Sequence, residues 1–339
     1  YFQVLVINPL NSTIRIPAGT VFAKLSEIVQ IANLKSAEKD VSKIFNRITV
    51  GEISPNNTEK FRNMIKQFSF LFQDDDDLLP ETALEKFSVD IGDNRPVSSA
   101  MYRTPLALRT EMKRILDSFI EQGIIEQTRS EFNSPCLLVR KKNGSFRLVV
   151  DYRKLNQITT QQHHPIQQID DVLCYLESSL IYSSIDLKKG FHQCSVEESS
   201  RPALAFSNEW GQYTWTKMPM GTRNAPLHFA KCMDHILREV PKTQICAYLD
   251  DLIVHSKTEF DHFENLQKFF VILSQNNLRI NIDKANFFQR KATILGFEVS
   301  RGQVKPSEDK IESVRKLKIP RNREEAQSLF GLLSQHRKF

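Results

Sequence analysis

Along the 339 residues the apolar positions change period several times, and each change predicts an element. Residues 1–30 alternate β-branched and polar side chains around Asn-Pro and Ala-Gly turns, a pattern of short strands. The stretch to residue 100 is polar and mixed, with a helix predicted over 58–72 and the run Asp74-Asp75-Asp76-Asp77 behind it. Leu106, Leu108, Met112, Ile115, Leu116 and Phe119 then recur at helical spacing and stop at Gly123. Two β-rich runs over 134–157 meet at Lys142-Asn143-Gly144-Ser145, and Asn-Gly between such runs predicts a hairpin.

A short helix leads into a strand over 179–187, and a second β section covers 194–217. An amphipathic helix starts near Asn224, carries Ala225, Phe229, Met233 and Ile236 on one face, and stops at Pro241. A later helix carries Phe260, Phe263, Leu266, Phe270 and Leu273. A hairpin turns through Ser300-Arg301-Gly302, and 306–339 reads as helical. There is no internal repeat.

Composition refines this picture only slightly. An apolar fraction of 40% and a charged fraction of 25% describe an ordinary globular chain, long enough for two or three subdomains. The net charge of +6 permits a polyanionic partner without requiring one. Cys136, Cys174, Cys194, Cys232 and Cys246 are scattered and form no CxxC pair, so neither a disulfide framework nor a zinc site is expected. A reduced, intracellular setting fits them. No apolar run approaches the ~20 residues of a membrane helix, and no secretion signal opens the chain, so no membrane partner is expected. Tyr1 in place of Met reads as a piece of a longer product.

Candidate chemistry starts with Asp250-Asp251, set in the otherwise apolar stretch 246–256. Burying two adjacent carboxylates is costly, so a β-hairpin with both acids at its tip is expected. A plain Asp-Asp turn in solvent explains this stretch equally well. A second apolar strand ends in Asp186, and laying 180–186 beside 246–249 makes three carboxylates converge. Such a cluster repels itself unless divalent cations neutralise it, and hard oxygen donors suit Mg²⁺. Arg140, Lys141, Lys142, Arg147 and Arg153 sit on the hairpin of 134–155, where alternation puts Arg147 and Val149 on one face. Arg147, with Lys141 or Lys142, could then hold a triphosphate, although a charged outer face alone reads as solvated surface. His163, His164 and His255 have no cluster around them, and the acidic run 74–77 reads as a solvated loop.

YLDD, FRLVVDYRKLN, SSIDLKKGFHQ, MPMGTRNAP and LGFEVSRGQVKPSEDKI stand in the order and spacing of a reverse transcriptase. Over roughly 85–339 the chain resembles the reverse transcriptase of a gypsy-class long-terminal-repeat retrotransposon Pol polyprotein. The resemblance implies an α+β right-hand polymerase: a palm of antiparallel strands packed on helices, fingers, and a thumb stub. It divides the chain into a β segment over 1–45 resembling the protease–polymerase linker region, a linker with helix and acidic loop over 46–100, fingers and palm over 101–300, and the start of a thumb over 301–339. It implies RNA- or DNA-templated DNA synthesis onto a primer 3′-hydroxyl, with a primed RNA or DNA template and dNTPs as partners. Two Mg²⁺ ions, with Mn²⁺ as a substitute, would lie on Asp186, Asp250, Asp251 and the carbonyl of Leu187. One ion would lower the pKa of the attacking hydroxyl and the other would stabilise the leaving pyrophosphate. Arg147 and one of Lys141 and Lys142 match the residues on the triphosphate. Phe191 matches the ring that excludes a 2′-hydroxyl, Met220 and Gly221 line the nucleotide pocket, and Leu295-Gly296-Phe297 matches the primer grip. Position 220 is commonly Phe in such elements, so Met220 departs from the pattern. An intracellular place, in a cytoplasmic particle or the nucleus, is implied as well. A second reading is an inactive or domesticated fragment that binds nucleic acid or a protein without polymerising. A third, a two-metal nuclease, calls for Glu or His ligands that these motifs lack.

Overall fold

Side chains of 181–186 alternate between two apolar interiors, and this sends the strand through the middle of the fold. The computed structural model describes residues 41–74, 77–141, 144–165, 167–248, 251–300, 302–316 and 320–334. The strands expected at 1–30 lie outside them. Ile181 and Ile185 enter one core and Tyr182 a second. Antiparallel to Ile181–Asp186 runs Asp251–Ser256, with Leu252 and Val254 in the first core and Ile253 in the second. Ile245–Tyr248 pairs beyond that strand, and Asn286–Gln289 pairs on the other side of Ile181–Asp186. Thr49–Val50 joins the free edge of Asn286–Gln289 in parallel, which completes five strands.

The hairpin expected at 246–256 forms, with Tyr248 opposite Asp251. Its partner differs from the expectation. The arm beside Ile181–Asp186 is Asp251–Ser256, and Ile245–Tyr248 lies one strand further out. A hairpin offers only one arm to a neighbouring strand, and periodicity does not say which.

Helices Ala225–Ile236 and Glu259–Gln275 pack in the first core through Phe229, Met233, Phe263, Leu266 and Phe270. Thr258 starts the second of these by accepting a hydrogen bond from the Asp261 backbone N–H at 3.1 Å. Phe260, placed on its apolar face from sequence, is 65% exposed, because the first turn projects past the core. Helix Ile169–Glu177 and a three-stranded sheet, Lys291–Ile294, Phe297–Ser300 and Gln303–Pro306, cover the other face. Leu295 and Gly296 turn between the first two of these strands with φ of 53° and 74°, the two-residue geometry that suits the strand twist.

A second five-stranded sheet holds Ile125–Gln127, Gly211–Trp215, Phe206–Asn208, Ser134–Arg140 and Phe146–Val150. The last two form the hairpin announced by Asn143-Gly144, with Arg140 opposite Phe146. Arg153 is not on it. That residue opens the helix Arg153–Ile158 and is tied to Asp151 at 2.6 Å.

The helix expected over 58–72 runs instead from Pro55 to Gln67, with proline in its first turn. Phe68, Leu71 and Phe72 are buried, and the backbone unwinds through Ser69–Leu71 to bury them. Phe72–Gln73 then pairs in parallel with Ile280–Asn281. Residues 46–73, read from sequence as linker, thus supply part of the main core. Val41–Phe45, at the end of the expected β segment, is a helical turn. Residues after 306 form Glu308–Arg315 and Arg323–Ser334.

Gly51 marks how closely the edge strand is seated. A Cβ there would lie 2.2 Å from the carbonyl oxygen of Phe288, a backbone atom that cannot swing away. Gly51→Ala should cost about 1–3 kcal/mol of overpacking, measured as a drop in chemical-denaturation midpoint. An unchanged midpoint would mean that the edge strand is not docked this closely.

Candidate functional site

Asp186 ends one central strand and Asp251 begins the next, and the two are register partners. Directly opposed positions share a face, so the two carboxylates repel at close range. A lysine answers this charge. Lys284, at the end of the turn Ile282–Lys284, donates from Nζ to Asp186 Oδ2 at 2.6 Å. Protein crowding on the cleft side raises the Asp251 carboxyl above the ordinary carboxylate range, and the Asp186 charge adds to this, while Lys284 opposes it. Asp250 lies outside the described residues. Leu187, the next residue after Asp186, is buried and bridges to Ile280.

The acids open into a cleft of about 200 Å³ lined also by Ser184, Lys284, Asn286, Thr293 and Ile294. Thr293 and Ile294 lead into the Leu295–Gly296 turn, which puts the expected primer-grip hairpin on the wall of the acidic cleft. Lys310 fixes that turn: its Nζ donates to the Leu295 carbonyl at 3.1 Å and lies 3.8 Å above the Phe297 ring.

A second group gathers around Phe191. Arg147 is exposed on the strand Phe146–Val150, with Leu148 and Val150 buried on its other face, and one guanidinium nitrogen lies 3.9 Å from the Met220 sulfur. Gly221, at φ 90°, approaches the Val150 carbonyl, and its own carbonyl accepts from Asn156 at 2.9 Å. Phe191 rides on the short helix Gly190–Gln193, half-buried, edge-to-face on Phe229 at 5.3 Å. His192 ties these pieces together, since its Nδ1–H donates to the Met218 carbonyl at 3.1 Å and its ring stacks on Trp215. Burial pushes the His192 pKa down to about 4, with the charges of Lys189 and Arg147 adding to the effect, so the imidazole is neutral near pH 7. Lys141 flanks the hairpin turn and is exposed, and Lys142 lies outside the described residues.

Lys284 and His192 were not legible as site residues. Asn-Ile-Asp-Lys looks like an ordinary helix start, and only the pairing of Asn286–Gln289 with Ile181–Asp186 carries its lysine to the acids. The candidates set aside from sequence are held by local bonds. His164 pairs with Asp234 at 2.9 Å, and His255 is buried against Ser179 and the Lys242 carbonyl. In the acidic run, Asp74 is paired with Arg47, which also binds Asp283.

Residues 139–299 match the family described as reverse transcriptase (RNA-dependent DNA polymerase). Over 98% of its length the chain is 31% identical to the retrovirus-related Pol polyprotein from transposon 297 of Drosophila melanogaster. It is 30% identical over 85% of its length to that from transposon gypsy of the same organism. The chain carries a gypsy-class reverse transcriptase region. It spans 33% and 28% of those two polyproteins. Among solved structures, foamy viral protease-reverse transcriptase in complex with double-stranded DNA superposes with a TM-score of 0.77 at 23% identity, covering 88% of this chain and 52% of that one. The fold is the α+β fold of these polymerases. Reverse transcriptases work with divalent metal ions, and this site fits them: two opposed carboxylates, one raised, with an ammonium standing where a cation is needed. No helix among the described residues is long and apolar enough to cross a membrane.

Proposed function

We propose that this chain performs RNA- and DNA-templated DNA synthesis, adding dNTPs to a primer 3′-hydroxyl. The observation that carries the reading is the register pairing of Asp186 with Asp251 at one end of a sheet buried on both faces. Asp186 and Asp251, with Asp250 and the Leu187 carbonyl, would hold two Mg²⁺ ions, or Mn²⁺ in their place. Bound there, such ions lower the pKa of an attacking hydroxyl and neutralise charge on phosphate oxygens. The protein groups do the rest. Arg147 offers a planar fork to the triphosphate, and Lys141 or Lys142 would supply a second positive charge to it. Phe191 presents an aromatic wall against the sugar, and Met220 and Gly221 border the nucleotide. The turn Leu295–Gly296 and Phe297 hold the primer end on the far wall of the cleft. With cations held at the acids, the Lys284 ammonium, now on Asp186 at 2.6 Å, would be released to face phosphate.

The test is primer extension by the purified chain on a primed RNA template and a primed DNA template, with and without chelator. Extension on both templates, lost with chelator and restored by Mg²⁺, is expected. Tight binding of primed template with no incorporation under any divalent cation would overturn the polymerase reading.

A further inference from the structure

A second set of metal-binding side chains lies outside the acidic cleft. Cys194 directly follows the short helix that carries Phe191. His228 and Cys232 are four residues apart on Ala225–Ile236, so they share a face one turn apart. Exposure is 0% for Cys194, 5% for His228 and 3% for Cys232. Their ligand atoms all lie within 4.8 Å of one another. The separation of His228 Nε2 and Cys232 Sγ is 3.6 Å. Tetrahedral zinc, with Zn–N of about 2.1 Å and Zn–S of about 2.3 Å, sets that separation at about 3.6 Å. The backbone carbonyl of Glu85, 2.9 Å from the same Nε2, borders the cluster with an oxygen donor.

We propose that Cys194, His228 and Cys232 form a binding site for a zinc-class divalent cation. A free buried thiol packs as a small apolar group and needs no partner. Two thiols closing on one imidazole in a dry interior are a soft donor set, which suits zinc and not magnesium. Binding releases the two thiol protons to solvent. The imidazole proton moves from Nε2, where it faces the Glu85 carbonyl, to Nδ1, and the Nε2 lone pair turns to the cation. The freed Glu85 carbonyl then stands at the fourth position. Such a cation would tie the segment behind Phe191 to the helix that carries Phe229, the ring on which Phe191 packs. Sequence spacing argued against a zinc site because the two cysteines are far apart in the chain and the fold alone joins them.

Cobalt titration of the chelator-stripped 339-residue chain tests this. Co²⁺ held by thiolates shows a sulfur charge-transfer band, which cobalt on the carboxylates of Asp186 and Asp251 does not. The band should saturate near one equivalent and vanish when Zn²⁺ is added. Cys232→Ala should weaken binding at least about a hundredfold, while Cys136→Ala, another buried cysteine, keeps the band. Should Cys232→Ala fail to fold, the wild-type chain still decides through the sulfur band itself, which Asp186 and Asp251 cannot give. A folded wild-type chain with no sulfur band would overturn the proposal. So would a Cys194–Cys232 disulfide in the chain as purified under reducing conditions.

Discussion

Asp251→Asn is expected to reduce dNTP incorporation by at least about a hundredfold while raising the melting temperature of the metal-free chain at neutral pH. Both effects come from one carboxylate. Asp251 faces Asp186 across the strand pair, and its carboxyl is raised by crowding first and by that neighbour second. A carboxyl raised in the folded state contributes full stability at acid pH and loses it as pH climbs through the raised value. The stabilisation by Asn should therefore shrink as pH falls through the raised value, where the wild-type carboxyl itself takes up a proton. Asp186→Asn should be equally inactive with little gain in melting temperature, because it also strands the ammonium of Lys284. Primer extension beside melting curves at several pH values reads all of this. Activity within tenfold of wild type in either variant would remove these acids from the catalytic centre.

The second large effect concerns the sugar. Phe191→Val is expected to raise ribonucleotide use relative to deoxyribonucleotide use by roughly a hundredfold, with DNA synthesis retained. The ring is half-buried and held edge-to-face by Phe229, so its position is fixed by packing and not by the ligand. With Phe191 against the sugar, as proposed, removing the ring opens room for a 2′-hydroxyl. The lost packing should lower stability by about 1–3 kcal/mol, less than for a fully buried ring. An active variant with an unchanged preference would show that Phe191 serves the core alone.

Local signals carried far in this chain. Asn143-Gly144 announced one hairpin, the apolar flanks of Asp250-Asp251 announced another, and Thr258 and Asn224 stand at the starts of the helices expected there. These features depend on a few consecutive residues, and short-range physics decides them. What could not be read depends on partners far along the chain. Nothing in 246–256 says which arm meets Asp186, nothing in Asn281–Lys284 points to the acids, and nothing in 190–194 points to His228. Phe68–Phe72 misled for a related reason: helical spacing continued in the letters, but four large apolar groups could not all face one side. The motifs carried the family, and the register carried the geometry.

The edge strand at Thr49–Val50 also constrains the order in which the molecule can be made. Its partner is Asn286–Phe287, and Arg47 holds Asp283, 236 positions away. During synthesis the early segment therefore leaves the ribosome long before the surface that receives it exists. Phe61, Phe68 and Phe72 must wait, unshielded, until Phe270, Phe287 and Phe288 emerge. Contacts of such separation form slowly, and the waiting chain is open to aggregation. A nascent chain whose emerged part stops before residue 280 should accordingly be a client for chaperones, and one whose emerged part extends past residue 290 should be released from them.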